Sequence, residues 1–241
     1  MARTSQRGEG AESTRDRLIE ATRDHLARLG PRSVELRAIC VELGISPSLV
    51  NYHFQSTGEL LWLAAISGYA EHVDRQRDAV SRAPDGRAAV ERWLRGTIAF
   101  KRDETGIAAV IDYPQLAFVG DDMIDPADYS KQLGELSRAN VAILGSAVLA
   151  AMTGRPVRML SSQRVALLIK TNKDFAFWIS TVGFGGQGSA TWIAGRKPYG
   201  AMWRLFGFSP DRQITTTINE LVTRLGTVRL TDLPSDTEPD S

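Results

Sequence analysis

At 241 residues and 26.4 kDa the chain is long enough to bury a sizeable core, and two unequal domains are expected. Hydrophobic residues at 43% and charged residues at 24% set it apart from disordered, collagenous and membrane classes. A net charge of +1 gives no basic field for a polyanion, and a single cysteine, Cys40, excludes an internal disulfide.

The N-terminus lacks the apolar centre of a secretory signal, and no uninterrupted apolar run approaches the roughly 18 residues of a membrane span. A cytoplasmic protein with no membrane partner is therefore expected. Cys40 falls on an apolar helical stripe, where it reads as a small buried hydrophobe.

Residues 1–12 are small, polar and glycine-containing, and read as a flexible arm. Ser13 or Thr14 then caps a first helix, in which Leu18, Ala21, Thr22, Leu26 and Leu29 recur near the helical period before Gly30-Pro31 closes it. A second helix starts near Ser33, carries Leu36, Ile39, Cys40 and Leu43 on one face, and stops at Gly44. Ser46 caps a third helix and Pro47 starts it, so Leu43-Gly44-Ile45-Ser46 is a tight turn between two helices. This is a helix-turn-helix pattern.

Ile45, Val50 and Phe54 are placed to face inward. Pro47, Ser48, Asn51, Tyr52 and His53 then remain outside, a set of donors, acceptors and rings suited to phosphates and base edges. An ordinary exposed face carries more Lys, Glu and Arg, although a generic helical corner gives the same shape. The first 57 residues hold eight arginines against seven acids, so contact with DNA has to come from a few placed groups and backbone donors.

Residues 14–65 resemble the DNA-binding domain of the TetR family of bacterial transcription regulators. The likeness lies in Thr14-Arg15-Asp16-Arg17-Leu18-Ile19-Glu20-Ala21, Gly30, Arg37-Ala38-Ile39, Leu43-Gly44-Ile45-Ser46, Leu49-Val50-Asn51-Tyr52-His53-Phe54 and Glu59-Leu60-Leu61, in matching order and spacing. It covers about a fifth of the chain.

The resemblance implies an all-α fold. A three-helix DNA-binding domain over 13–60 would be joined by a long helix to a ligand-binding and dimerisation domain over 61–227; the composition of residues 228–241 separately reads as a disordered acidic tail. The resemblance also implies DNA contacts at Arg37, Pro47, Ser48, Leu49, Asn51, Tyr52 and His53. Of these, Arg37 is the best fork for a base or phosphate, Asn51 suits adenine and Leu49 a thymine methyl; Tyr52 and His53 suit phosphates. Thr57 stands where most members carry lysine, and Gly58 where an acid is usual. A hydroxyl and a free N–H at a helix start still bind phosphate, without the lysine's charge.

The fourth helix is expected from Thr57 to about Val80, and Pro84-Asp85-Gly86 breaks it. Beyond it the pattern stays helical. Val90, Trp93, Leu94, Thr97 and Ile98 make one stripe, and Pro114 ends the segment after Gly106. Asp125-Pro126 opens a helix through Leu133, Leu136, Val141, Leu144 and Val148 that stops at Gly154-Arg155-Pro156. Another runs from Ser161 or Ser162 to about Thr181, and Ser209-Pro210-Asp211 opens the last, through Ile214, Ile218, Leu221, Val222 and Leu225. In the family the last two long helices form a two-fold dimer, here about 162–181 and 210–225.

Gly183-Phe184-Gly185-Gly186-Gln187-Gly188 satisfies a dinucleotide-binding pattern, but no strand precedes it and nothing alternates, so it reads as a flexible loop and no cofactor is expected. His25, His53 and His72 lack metal spacing; His25 reads as partly buried and His72 as exposed. No nucleophile, base and orienting group assemble, so an enzyme is not expected. Trp93, Phe100, Tyr113, Phe118, Phe175 and Trp178 are candidates for the family's ligand pocket, though each alone reads first as core. Few charges interrupt these segments, which favours an apolar or aromatic effector.

The function expected from this pattern is a homodimeric, ligand-responsive regulator, in the first instance a repressor released from a palindromic operator. Its two recognition helices would sit about 34–36 Å apart. The alternative is a ligand-independent architectural or division-control DNA-binding protein. The missing lysine predicts that Thr57→Lys steepens the dependence of log K on log salt by about one unit, since each neutralised phosphate contributes about 0.9; equal slopes for the two proteins count against a phosphate contact at this position.

Overall fold

The computed structural model describes residues 5–113, 116, 126–194, 219 and 223–225, and among these it is all-helical with no strand. In chain order the helices are α1 (Ser5–Leu29), α2 (Leu36–Leu43), α3 (Pro47–His53), α4 (Thr57–Ser81), α5 (Gly86–Asp103), α6 (Thr105–Asp112), α7 (Pro126–Thr153), α8 (Ser162–Thr171) and α9 (Lys173–Ala194), with a 3-10 turn at Pro31–Ser33. The chain divides into two compact units, Met1–Arg75 with Ala99–Arg138, and Gln76–Ile98 with Ala139–Ser241. The division falls within α4, α5 and α7.

Several boundaries differ from the sequence reading. α1 begins at Ser5, so residues 5–12 of the expected arm are helical. Gln6, Arg7, Glu9, Ala11 and Glu12 all propagate a helix well once one exists downstream, and they outweigh Gly8 and Gly10. Leu29, assigned to the inner stripe, is 53% exposed in the last turn. The helix expected from 162 to 181 is two helices, because Asn172 leaves the helical path and its Oδ1 accepts the Phe175 N–H at 2.9 Å, capping α9. Residues 183–188 lie inside α9, which overturns the loop reading. Val141 is 40% exposed, and α7 buries Ala142 and Ile143 beside Leu144 instead.

By length and composition the Ser130–Thr153 stretch of α7 does reach the threshold for crossing a membrane, contrary to expectation. Its apolarity has another use, since 56% of the window is buried inside the protein. Of the last helix only Asn219, Thr223, Arg224 and Leu225 are described, with Leu225 fully buried. The rest of the expected second dimer helix lies outside the described residues.

In the first unit α6 packs against α1. The approach is close enough that a Cβ on Gly106 would stand 1.8 Å from the Leu26 carbonyl oxygen, so only glycine fits. Arg23 of α1 pairs with Glu71 at 3.0 Å, Glu71 pairs with Arg75 at 2.7 Å, and Arg75 also reaches Glu104. Lys101, nearly buried, donates to Asp112 at 2.5 Å. Burial pushes the Glu104 carboxyl up despite the Arg75 charge beside it.

His72 is buried at 3% exposure, which overturns the exposed reading. Its ring stacks on Phe100 at 4.2 Å between centroids and lies 6.0 Å from Tyr69, so a residue in a charged stretch serves as an aromatic surface.

In the second unit the core carries polar groups with matched partners. Gln76 Nε2 donates to the Trp93 carbonyl at 2.8 Å and to Thr97 Oγ1 at 3.0 Å, and Trp93 Nε1 donates to Asn140 Oδ1 at 3.1 Å. These bonds fix α4, α5 and α7 in one register, since sliding any helix would strand a buried donor.

Burial first, then the Arg75 and Lys101 charges, hold the His72 imidazole down at about 4 from an ordinary 6.5. The unfolded chain therefore binds the extra proton first as pH falls. His72 contributes stability present above pH 6.5 that is lost progressively toward pH 4. The stability of the wild type relative to His72→Phe should fall by roughly 3 kcal/mol as pH is lowered across that window in urea titrations. A pH-independent difference would show that the ring does not titrate as described.

Candidate nucleic-acid interface

The helix-turn-helix is built around one backbone conformation. Gly44 ends α2 at φ 67° and ψ 34°, in the left-handed region that costs glycine little, and its N–H returns to the Val41 carbonyl at 3.2 Å. Ile45 N–H donates to Cys40 O at 3.0 Å, which closes the end of α2. Arg17 of α1 also reaches the Leu43 carbonyl at 3.4 Å. Pro47 then opens α3 with its φ already set. Ser46 holds the N-cap position but makes no side-chain cap bond, contrary to expectation; its Oγ pairs with Ser48 Oγ at 2.8 Å.

Seven residues cannot hold a helix in water, so the position of α3 comes from what it buries. Val50 and Phe54 are 2% and 4% exposed and join Leu18, Ala21, Ile39, Cys40 and Leu60 in one cluster, with Leu36, Leu43 and Ile45 packed on it. Burial raises the Cys40 thiol, which agrees with a core role. His25 Nε2 donates to Glu42 Oε2 at 2.8 Å, a further tie between α1 and α2; its Nδ1 is buried without a hydrogen-bond partner among the described residues.

With Val50 and Phe54 inward, Pro47, Ser48, Asn51 and Tyr52 are exposed, and Leu49 and His53 are half-buried. Tyr52 stands 76% exposed, braced edge-on by His53 at 5.2 Å. An aromatic ring left in water on a helix otherwise free of charge is the unusual feature of this face. Arg37 is exposed on α2 and has no ion pair among the described residues. Arg15 places its guanidinium 5.2 Å from the Phe54 ring centroid, which keeps a cation beside the end of α3.

The start of α4 is a reciprocal cap. Ser56 Oγ accepts the Glu59 N–H at 3.1 Å, and Glu59 Oε2 accepts the Gln55 N–H at 2.6 Å. Thr57 is exposed, and the Thr57 and Gly58 N–H groups have no acceptor among the described residues. A phosphate can therefore be met by dipole and N–H donors here, with the Glu59 charge opposing it.

Six of the eight expected DNA contacts, Pro47, Ser48, Leu49, Asn51, Tyr52 and His53, are thus on α3, with Arg37 on α2 and Thr57 opening α4. The expected pocket residues are divided between the units. Phe100 and Tyr113 belong to the first, where Phe100 is buried but Tyr113 is 52% exposed; Trp93, Phe175 and Trp178 are buried in the second. Phe118 lies outside the described residues. A cavity of about 270 Å³ between α7 and α8 borders none of them. No group of three or more metal-ligating side chains occurs among the described residues.

Because Ser56 supplies the cap that starts α4, Ser56→Ala should lower stability by about 1 kcal/mol, read as a shift in the denaturant midpoint. An unmoved midpoint would mean that the cap contributes nothing. Compared with protein-family models and with curated proteins, the chain matches no family model and no curated protein.

Proposed function

We propose that the chain is a DNA-binding transcription regulator of the TetR type, acting as a homodimer that represses from a palindromic operator and is released by a small-molecule effector. The observation that carries this reading is the outer face of α3. A seven-residue helix pinned by Val50 and Phe54 presents Ser48, Asn51 and an exposed Tyr52, with Arg37 exposed on α2 and unpaired among the described residues. Those groups match what a major groove offers: Asn51 suits the paired donor and acceptor of adenine, Arg37 the two acceptors of guanine. Exposed, rigidly mounted and uncharged except for Arg37, they suit base reading better than bulk attraction.

A ligand-independent DNA-binding protein is the second reading. It is favoured by the placement of the expected pocket aromatics in two separate units, where Trp93, Phe100, Phe175 and Trp178 are buried as core.

Selection of bound fragments from the source genome, followed by binding measurements on the enriched site, tests the proposal. Arg37→Ala and Asn51→Ala should each weaken the enriched site by about 1–3 kcal/mol and relax preference at one position per half-site. Tyr52→Phe should weaken all sequences alike, because a phosphate contact carries no sequence information. Absence of any enriched fragment, or variants that bind as wild type, would sink the reading.

A further inference from the structure

From Leu136 to Lys173 the chain contains no acidic residue, while it carries Arg138, Arg155, Arg158, Arg164, Lys170 and Lys173. In a protein of net charge +1 this is a marked local excess. Three of these cations, Arg155, Arg158 and Arg164, line the cavity between α7 and α8 in the second unit. Arginine cannot relieve such crowding by losing its proton. Neither Arg158 nor Arg164 has an acidic partner among the described residues.

The same cavity also has an apolar lining. Leu149, Ala150, Pro156, Leu160 and Leu168 face the same space, and the whole volume, about 270 Å³, is below the range of drug-sized pockets. The wall is also held in place. Ser146 Oγ donates to the Ala142 carbonyl at 2.8 Å and accepts the Leu160 N–H at 2.9 Å, tying the 154–161 connection down onto α7. Ser161 Oγ accepts the Arg164 N–H at 3.2 Å, which fixes the turn of α8 that carries Arg164.

A space lined by both arginine cations and aliphatic groups is complementary to a small amphiphile. We propose that this cavity binds a compact organic carboxylate, its carboxyl group held by Arg158 and Arg164 and its hydrocarbon body against Leu149, Leu160 and Leu168. An inorganic phosphate would satisfy the arginines but leave the apolar wall wet, and an uncharged hydrocarbon would leave the arginines unneutralised. The site does not depend on the DNA-binding reading, and it is tested without DNA.

Isothermal titration of the full chain should use octanoate as the probe, 1-octanol as the same body without charge, and inorganic phosphate as charge without body. Octanoate should bind saturably, and each control at least tenfold more weakly. The double variant Arg158→Gln/Arg164→Gln should lose at least tenfold in octanoate affinity while its binding of 1-octanol is unchanged. Leu149→Trp, which fills the space from an apolar lining residue and leaves the arginines intact, should lose octanoate binding by a comparable factor. A thermal melt of each variant verifies that it is folded. The proposal is overturned if octanoate does not bind, if it binds no more tightly than 1-octanol, if phosphate binds as tightly, or if the folded variants bind octanoate as wild type does.

Discussion

The burial of Val50 and Phe54 is the interaction on which the candidate interface depends. α3 is seven residues long and carries no side-chain cap, so neither propensity nor capping holds it. Its position relative to α2 is set by two things together: the left-handed Gly44, which turns the chain within three residues, and the cluster of Ile39, Cys40, Leu18 and Leu60 that receives its inner face. Either alone is insufficient. A turn without the core leaves α3 free to fray, and a core without the turn gives no fixed angle between α2 and α3. The polar outer face is therefore a by-product of apolar packing, and its rigidity is borrowed from α1, α2 and α4.

The same unit shows how helices come close without side chains between them. At Gly106 the α6 backbone lies against the Leu26 carbonyl of α1, and a Cβ at Gly68 would stand 2.6 Å from Ile107 Cδ1. Contacts of this kind are steep functions of distance, so a displacement of α6 is felt by α1 directly and not damped by flexible side chains. The Arg23–Glu71–Arg75–Glu104 chain is only partly shielded from solvent, and pairs still open to water contribute little each. Packing, not charge, fixes α6 against α1. A regulator of the proposed type needs an element with two discrete positions, and a glycine-lined backbone contact is suited to be one.

How much of this was legible in the sequence follows from which signals are local. Gly30-Pro31, Gly44 followed by Pro47, Pro84-Asp85-Gly86 and Gly154-Arg155-Pro156 all mark helix ends where the structure has them, because glycine and proline act through backbone geometry that needs no tertiary context. The Asn172 break escaped notice because asparagine is only a weak breaker and the apolar period continues across it from Leu168 to Phe175. Residues 183–188 read as a loop on glycine content, whereas helical neighbours on both sides carry the chain through. His72 sits among charged residues, and only the tertiary approach of Phe100 shows its ring to be core. Of the site itself the exposure of Pro47, Ser48, Asn51 and Tyr52 was legible as a matter of helical phase, whereas the half-burial of His53 and the missing Ser46 cap were not. The arginine-lined cavity was not, although its signal, a long stretch without acids, was present in the chain all along.

The pairing of charges within the first unit limits the kind of DNA contact that is physically available. Some acids of the first unit are engaged by arginine or histidine within it: Glu71 by Arg23 and Arg75, and Glu42 by His25. Arg37, exposed on α2, is left with no such partner among the described residues, and Arg15 keeps a second cation beside the end of α3. The Glu59 carboxylate meanwhile places negative charge at the start of α4. Long-range attraction is thus weak by construction. Binding of the proposed kind would draw little from counterion release and much from a small number of directional contacts, so mismatches at the bases met by Arg37 and Asn51 would cost a larger share of the total than in a strongly basic domain.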